Sequence, residues 1–314
     1  MAIYSNGAGL AALVVSVRGN FQKGFNSDGY QPVAPRIASV GSTRSRKTRF
    51  PFPIDSAAIR RHVGDRVFNV VKATSQDLDA APYELSYVVD RDDLADEDQS
   101  ENAVAMLGTT IRRAGRKYRI LPDRLLRDVL SGNANSVVDG RPLFGTHYVD
   151  PTDTGSTSFS NTAVAPLTPD NLWAGVSAMG ALVGPDGDPV NPSPKQLVVP
   201  LALEKTALEC TQAMMVPNAG GGASQDNVLA RMGFTIVVWP MLDAISATTW
   251  YLEDVSDPED RGLIYLERQA PEIVENFDPT SETAQNENQY EWKSRARGVA
   301  GGGNPMKIFR RTAS

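Results

Sequence analysis

The chain has 314 residues, more than one ordinary domain of about 100–150 and enough for two, or for one elaborate one. Hydrophobic residues make up 41% and charged residues 22%, which excludes a disordered chain; one cysteine excludes an internal disulfide and a cysteine-built metal site, and two histidines, His62 and His147, exclude a histidine-rich one. The net charge of -6 is not that of a nucleic-acid binder, yet it hides a segregation: residues 1–50 carry +6, residues 291–314 carry +5, and the residues between carry -17.

The first element is the apolar run Leu10 to Val17. It is too short to span a bilayer, which takes about 20 residues, and no Lys or Arg precedes it as a signal peptide requires. Leu10, Leu13, Val14, Val17 and Phe21 share one helical face, so a helix is expected, packed on its own domain or on a neighbouring subunit. From Asn26 to Phe52 no period is visible; three prolines and the basic run Arg44, Arg46, Lys47 and Arg49 read as an arm or linker outside the core. Strand-like stretches at Arg66 to Ala73 and Tyr83 to Val89, separated by the polar interval Ser75 to Pro82, read as a long hairpin.

An acidic cluster from Asp90 to Glu101 then leads into the clearest helix, from about Ser100, with Ala103, Leu107, Ile111, Ala114, Tyr118 and Leu121 at helical spacing. Its acids lie at the N-terminal end and its basic residues, Arg112, Arg113, Arg116, Lys117 and Arg119, toward the C-terminal end, as the helix dipole favours. A second helix is expected from Pro122 to Leu130 with Gly132 as its stop, and a third after the cap Thr168-Pro169-Asp170. Beyond the break Gly184 to Pro194, a buried-type strand Gln196 to Val199, a helix Leu201 to Met214 and strands near 234–239, 248–253 and 263–266 suggest a compact α/β module over 196–279. The tail from Tyr290 to Arg311 reads as two strands around the turn Gly301 to Gly303.

No motif for catalysis emerges. Gly41 to Thr48 is one glycine short of a phosphate loop and lacks its preceding strand. The acidic cluster lacks the spacing and central glycine of a calcium loop, and reads as the acidic start of a helix. Cys210 sits on an apolar helix face and reads as inert core, while His147 has neither a nucleophile motif nor metal-ligand spacing around it. No cofactor, metal or catalytic residue is therefore assigned.

Several blocks, in order, resemble the Mu-like major head protein family of tailed bacteriophages. They are Arg61-His-Val-Gly-Asp-Arg66, Tyr83-Glu84-Leu85, Val89-Asp-Arg-Asp-Asp-Leu94, Leu121-Pro-Asp-Arg-Leu-Leu126, Asp139-Gly-Arg-Pro-Leu-Phe144 with His147, Thr168-Pro-Asp-Asn-Leu172, Pro194-Lys-Gln-Leu-Val-Val-Pro200, Trp250-Tyr-Leu-Glu-Asp254 and Ser294-Arg-Ala-Arg-Gly298. The resemblance covers about residue 40 to 311, and the first 40 residues match little.

It implies an α+β fold of the HK-97 capsid type: N-terminal arm 1–52, extended hairpin loop 53–95, peripheral domain 96–195 and 280–314 with a long spine helix, and axial domain 196–279. It further implies a major capsid protein that assembles into hexamers and pentamers of an icosahedral head around double-stranded DNA, read without sequence specificity. Expected partners are other copies, a portal, a separate scaffolding protein, since the chain begins at Met1 with no evident cleavable segment, and decoration proteins; no membrane is involved. Assembly in the host cytoplasm and residence in the virion follow.

Inter-subunit or DNA-facing contacts are expected from Arg44, Arg46, Lys47 and Arg49, and hairpin contacts from Arg66, Lys72, Tyr83 and Glu84. Lys72 is the only lysine of the hairpin, nothing beside it demands a covalent crosslink, and subunits are expected to separate on a denaturing gel. Physics is compatible with an interdigitating shell. The 25 residues from Asn26 to Phe50 span about 80 Å when extended, whereas a body of some 250 residues has a radius of gyration near ~18 Å. Two alternatives stand beside it: an encapsulin-like compartment holding protein cargo, and a soluble hydrolase built on His147.

Overall fold

The computed structural model describes residues 7–27, 29–54, 61, 68, 72–92, 97–216 and 224–313. In chain order its elements are α1 (Gly7–Phe25), α2 (Ala34–Ile37), β1 (Ala38–Ser42), β2 (Lys47–Ile54), β3 (Lys72–Asp79), β4 (Ala81–Asp90) and α3 (Glu97–Gly132). Next come β5 (Thr146–Tyr148), β6 (Ser158–Ser160), β7 (Thr162–Val164), α4 (Pro169–Gly180), β8 (Gln196–Val199), α5 (Glu204–Gln212), β9 (Met215–Val216) and β10 (Gln225–Asp226). The chain ends with β11 (Thr235–Val238), β12 (Thr249–Glu253), β13 (Leu263–Asn276), α6 (Glu282–Asn286), β14 (Gln289–Gly302) and β15 (Ile308–Thr312).

Two sheets organise this α+β fold. The first has the order β1-β13-β14-β4, with β1 parallel to β13 and the other pairs antiparallel. Strand β4 alternates strictly, so Tyr83, Leu85, Tyr87 and Val89 turn inward while Glu84, Ser86 and Val88 turn out. The inward residues meet Tyr290, Trp292 and Ala296 of β14 and the apolar face of α3, Leu107, Ile111, Ala114, Tyr118 and Leu121. Helix α1 lies along α3, with Val17 and Phe21 buried in the same core. Two glycines let the backbones touch: a Cβ on Gly115 would fall 2.2 Å from the Phe21 carbonyl oxygen, and one on Gly24 2.0 Å from that of Arg112. Of the two expectations for the first helix, packing within its own chain is the one observed.

Helix α3 is continuous where two helices were expected. Pro122 lies inside it, and buried Leu121, Leu126, Val129 and Leu130 hold both halves against the core, outweighing the roughly 3 kcal/mol that an interior proline costs. The helix ends at Gly132, and Asn133 takes the left-handed conformation, φ 47°, that closes it.

The segment read as an arm outside the core is partly core. Val33, Ala34, Ile37 and Ala38 are buried, and β1 is an edge strand of the first sheet. The buried Asp123 carboxylate does the holding: it accepts from the amides of Val33 (2.9 Å) and Ala34 (2.7 Å) and from the Tyr30 hydroxyl. A four-residue helix is thus capped from a distant helix, which no local pattern announces.

The second sheet runs β11-β8-β12-β15-β7. Strands β8 and β12 are buried along their whole length. Helix α4 starts as expected, with the Thr168 side chain accepting from the Asn171 amide at 3.2 Å. The expected helix to Met214 stops at Gln212, and Met214 is exposed. The limits of the 196–279 module do not follow the sheets. Strand β13 extends to Asn276 and belongs to the first sheet, whereas β15, from the tail, inserts between β12 and β7 of the second. The tail is therefore not a hairpin: β14 and β15 lie in different sheets. Glycines 301–303 serve close packing instead, a Cβ on Gly303 falling 2.1 Å from the Arg261 carbonyl oxygen.

Candidate assembly interface

The expected hairpin exists with different strands. Strand β3 pairs with β2, not with β4, in an antiparallel ribbon running from Lys47 opposite Asp79 to Ile54 opposite Lys72. Residues 55–71, which connect the two strands, lie outside the described residues apart from Arg61 and Phe68, both exposed. Alternation failed as a guide because β3 presents polar, mostly exposed positions on both faces. Eight paired positions extend about 27 Å at some 3.4 Å each.

Among the described residues the ribbon is anchored toward its base, where the Gln76 side chain also lies against Gly140. There Leu78 packs against Val137, Val138, Ile264 and Leu266, and would collide with any Cβ on Gly301. The Ala80 amide donates to the Arg46 carbonyl at 2.8 Å, and the Thr43 amide to the Glu267 carbonyl at 2.9 Å. An isolated two-stranded ribbon is marginal in water, so its outer part calls for a further surface.

The four basic candidates sit here. Arg49 donates to Asp77 across the strands at 3.0 Å, and Arg46 to Asp79 at 3.2 Å. The Arg49 guanidinium holds the Asp77 carboxyl below its ordinary range. Arg44 and Lys47 are exposed; Lys47 adds to the pull of Arg49 on the Asp77 carboxyl, and Arg44 has no partner among the described residues. Of the hairpin candidates, Arg66 lies outside the described residues, and Lys72 is the first residue of β3. Tyr83 and Glu84 are not on the ribbon: they belong to β4, Tyr83 facing the helices and Glu84 facing out opposite Arg295.

The second basic end is built differently. Lys307 donates to the buried Asp254 at 2.8 Å. The Arg310 guanidinium lies 4.7 Å from the Phe144 ring centre and that of Arg311 5.6 Å from the Phe309 ring centre. These charges are spent inside the subunit.

The residues considered for chemistry are also engaged in structure. His147 is buried, with Nδ1 2.6 Å from Asp139 and Nε2 3.1 Å from the Leu143 carbonyl, and its ring stacks on Phe159. Burial, then Glu209, pushes the Cys210 thiol up to about 11. Among the described residues no group of three or more His, Cys, Asp or Glu is placed to hold a metal ion, and no helix is long and apolar enough to cross a membrane.

The model of a family described as phage capsid protein matches residues 85–310. No curated protein sequence matches significantly. The structure resembles the procapsid subunit of bacteriophage JBD30, with a TM-score of 0.56 and 19% identity over 98% of this chain and 76% of that one. It also resembles the capsid of a native GTA particle (TM-score 0.53, 14% identity, 89% of each chain). A third likeness is to a virus-like particle from Pyrococcus furiosus (TM-score 0.51, 11% identity, 95% of this chain and 98% of that one). At these identities the likeness is one of fold.

Proposed function

The chain belongs to the phage capsid protein family and has the HK-97-type fold of a major capsid protein, and from that premise we propose that its copies close into hexamers and pentamers of an icosahedral head around double-stranded DNA. Rings of this kind need heterologous contacts that close by rotation. The observation that carries the reading is the ribbon: eight residue pairs with mostly exposed positions along β3, whose described anchors, Leu78 in a small apolar cluster and Gln76 against Gly140, lie toward its base. A strand pair so built gains its order from a neighbouring copy.

Arg44, Arg46, Lys47 and Arg49 face solvent on it, and the acidic body of the next subunit offers complementary charge. A separate scaffolding protein, a portal and decoration proteins would complete assembly in the host cytoplasm, with the product in the virion. A compartment holding protein cargo shares the fold and is less favoured, because the matched sequence family is that of phage capsids.

The test is negative-stain microscopy of the purified protein with reversal of Arg44, Arg46 and Lys47 to Glu. Shells are expected for the parent chain and their loss for the variant. A parent chain that stays monomeric would sink the reading, and normal shells from the variant would remove the ribbon's cations from it. Nucleic acid inside the particles separates a genome shell from a cargo compartment.

A further inference from the structure

Helix α3 has three faces with three uses. One is apolar and meets the first sheet. The second carries Gly108 and Gly115 against α1, with Arg112 donating to the Asn20 side chain at 2.9 Å and Arg119 to the Phe25 and Tyr30 carbonyls. The third carries Arg113, Arg116, Lys117 and Arg124, all exposed. At 100° per residue, 113, 117 and 124 fall within about 40° of one another, and 116 lies about 60° to the side. At 1.5 Å per residue they cover about 16 Å.

None of the four has a hydrogen-bonding or ionic partner among the described residues. The sequence holds no Asp or Glu between Glu101 and Asp123 to offset them. Two described acids lie beside the stripe: Glu84, which shares with Lys117 and Arg124 a hollow of about 160 Å³, and Asp128, one turn beyond Arg124 and paired with Arg127. Four exposed cations on one face, without a partner among the described residues, repel one another, and a polyanion that covers them relieves that repulsion.

The geometry points to a duplex nucleic acid held by its phosphates as the partner of this stripe. The hollow that Lys117 and Arg124 share is small, and its aromatic lining, Tyr83 and Tyr118, belongs to the subunit's own core, so the stripe offers a partner its charges more than a deep apolar pocket. It suits a polyanion whose charges recur every few ångströms, and it carries no means of reading bases. The inference rests on the reading of the protein as a shell around DNA, and it moves the expected DNA contact from the ribbon to α3.

The experiment measures binding of the full-length protein to a fluorescent 30-base-pair duplex between 50 and 200 mM salt. The variants are R113Q/R116Q/K117Q/R124Q, the single K117Q, and R44Q/R46Q/K47Q/R49Q on the ribbon. The stripe variant is expected to bind at least tenfold more weakly, with the slope of log K against log salt shallower by about 3 to 4, and K117Q shallower by about 1. The ribbon variant and a duplex of unrelated sequence are expected to behave like the parent. Unchanged affinity and slope in both stripe variants would overturn the inference, as would loss confined to the ribbon variant or a tenfold preference between duplexes. Should the quadruple variant misfold, K117Q decides. Particle formation is scored separately: a protein that forms no shells yet binds through the stripe refutes closure of the purified chain into a shell and leaves this inference standing.

Discussion

The two basic ends of the chain are nearly equal in charge, +6 and +5, and the fold uses them in opposite ways. At the C-terminal end three cations are enclosed, Lys307 paired with buried Asp254 and Arg310 and Arg311 lying over aromatic rings beside a strand whose Ile308 and Phe309 are core, while Lys293 and Arg295 on β14 stay exposed. The N-terminal cations stand on a ribbon whose ion pairs are open to water. Charge in a sequence therefore reports composition, and burial decides whether it stabilises a subunit or is left for a partner. A surface pair in water is worth little, while a buried one is costly to break.

The contrast breaks most sharply at Phe309, which is 1% exposed among Leu172, Leu197 and Trp250. Phe309→Ala is expected to cost about 3–5 kcal/mol, read as a lowered denaturant midpoint or as insoluble protein. Beside it, Lys307→Ala leaves the Asp254 carboxylate buried without its cation, at about 3 kcal/mol. A change below 1 kcal/mol by the same denaturation measurement would mean that the C-terminal cations are as dispensable as exposed ones.

Two adjacent acids sharpen the comparison through pH. Burial pushes the Glu253 carboxyl up to about 8, against the opposing hydrogen bond from Gln196 and the charge of Arg261. Burial also works against ionised Asp254, but hydrogen bonds from Lys307 and Ser256 prevail and hold it at about 2. From about pH 4.5 to 8 the folded state keeps a proton on Glu253 that the unfolded chain has lost. Stability therefore falls as pH rises through that window, by at most about 1.4 kcal/mol per unit from this group. Asp254 does the reverse: its contribution is full above about 4 and is lost as pH falls toward 2. Thermal unfolding from pH 5 to 9 should show the Glu253 decline in the parent chain and a flatter profile in Glu253→Gln; parallel profiles would exclude it.

How much of this was legible depends on what each element touches. Helix α3 could be read because one face packs on a sheet along most of its length, so Leu107, Ile111, Ala114 and Tyr118 recur at helical spacing. Strand β8 could be read because all four residues are buried. The ribbon could not, since a strand pair without a core imposes no alternation on its sequence. Strand β13 looked short because register shifts around Gln269 interrupt its pairing and its outer half is only partly buried. The placement of β15 in the far sheet follows from contacts with β12 and β7 that lie far away in sequence. For α2, the one local hint was Pro35 near its start; its cap, Asp123, is 89 residues beyond Ala34. Among the candidate contacts, Arg44, Arg46, Lys47 and Arg49 were found from composition, yet the pairing of Arg49 with Asp77 and of Arg46 with Asp79 required the register. The α3 stripe was visible as a basic run, but only the structure separates Arg112 and Arg119, which are spent, from the four that are not.

The smallest effect on the subunit is expected at the ribbon, and there it carries the most information. Arg49→Glu sets a like charge opposite Asp77, with which Arg49 is in register, and opposed like charges on paired strands repel. Because both groups are exposed, the unfolding temperature of the isolated subunit should barely move. If the ribbon's charges serve a neighbouring copy, assembly should weaken in Arg49→Glu, measured by light scattering, and weaken further at high salt, which screens exposed charges. The double change Arg49→Glu with Asp77→Arg restores the cross-strand pair while moving each charge to the other strand. Recovery of assembly by the double variant means that Arg49 works by holding the two strands together. Continued failure means that the cation itself is met by the neighbour, and this is the outcome expected from a ribbon whose described anchors lie toward its base.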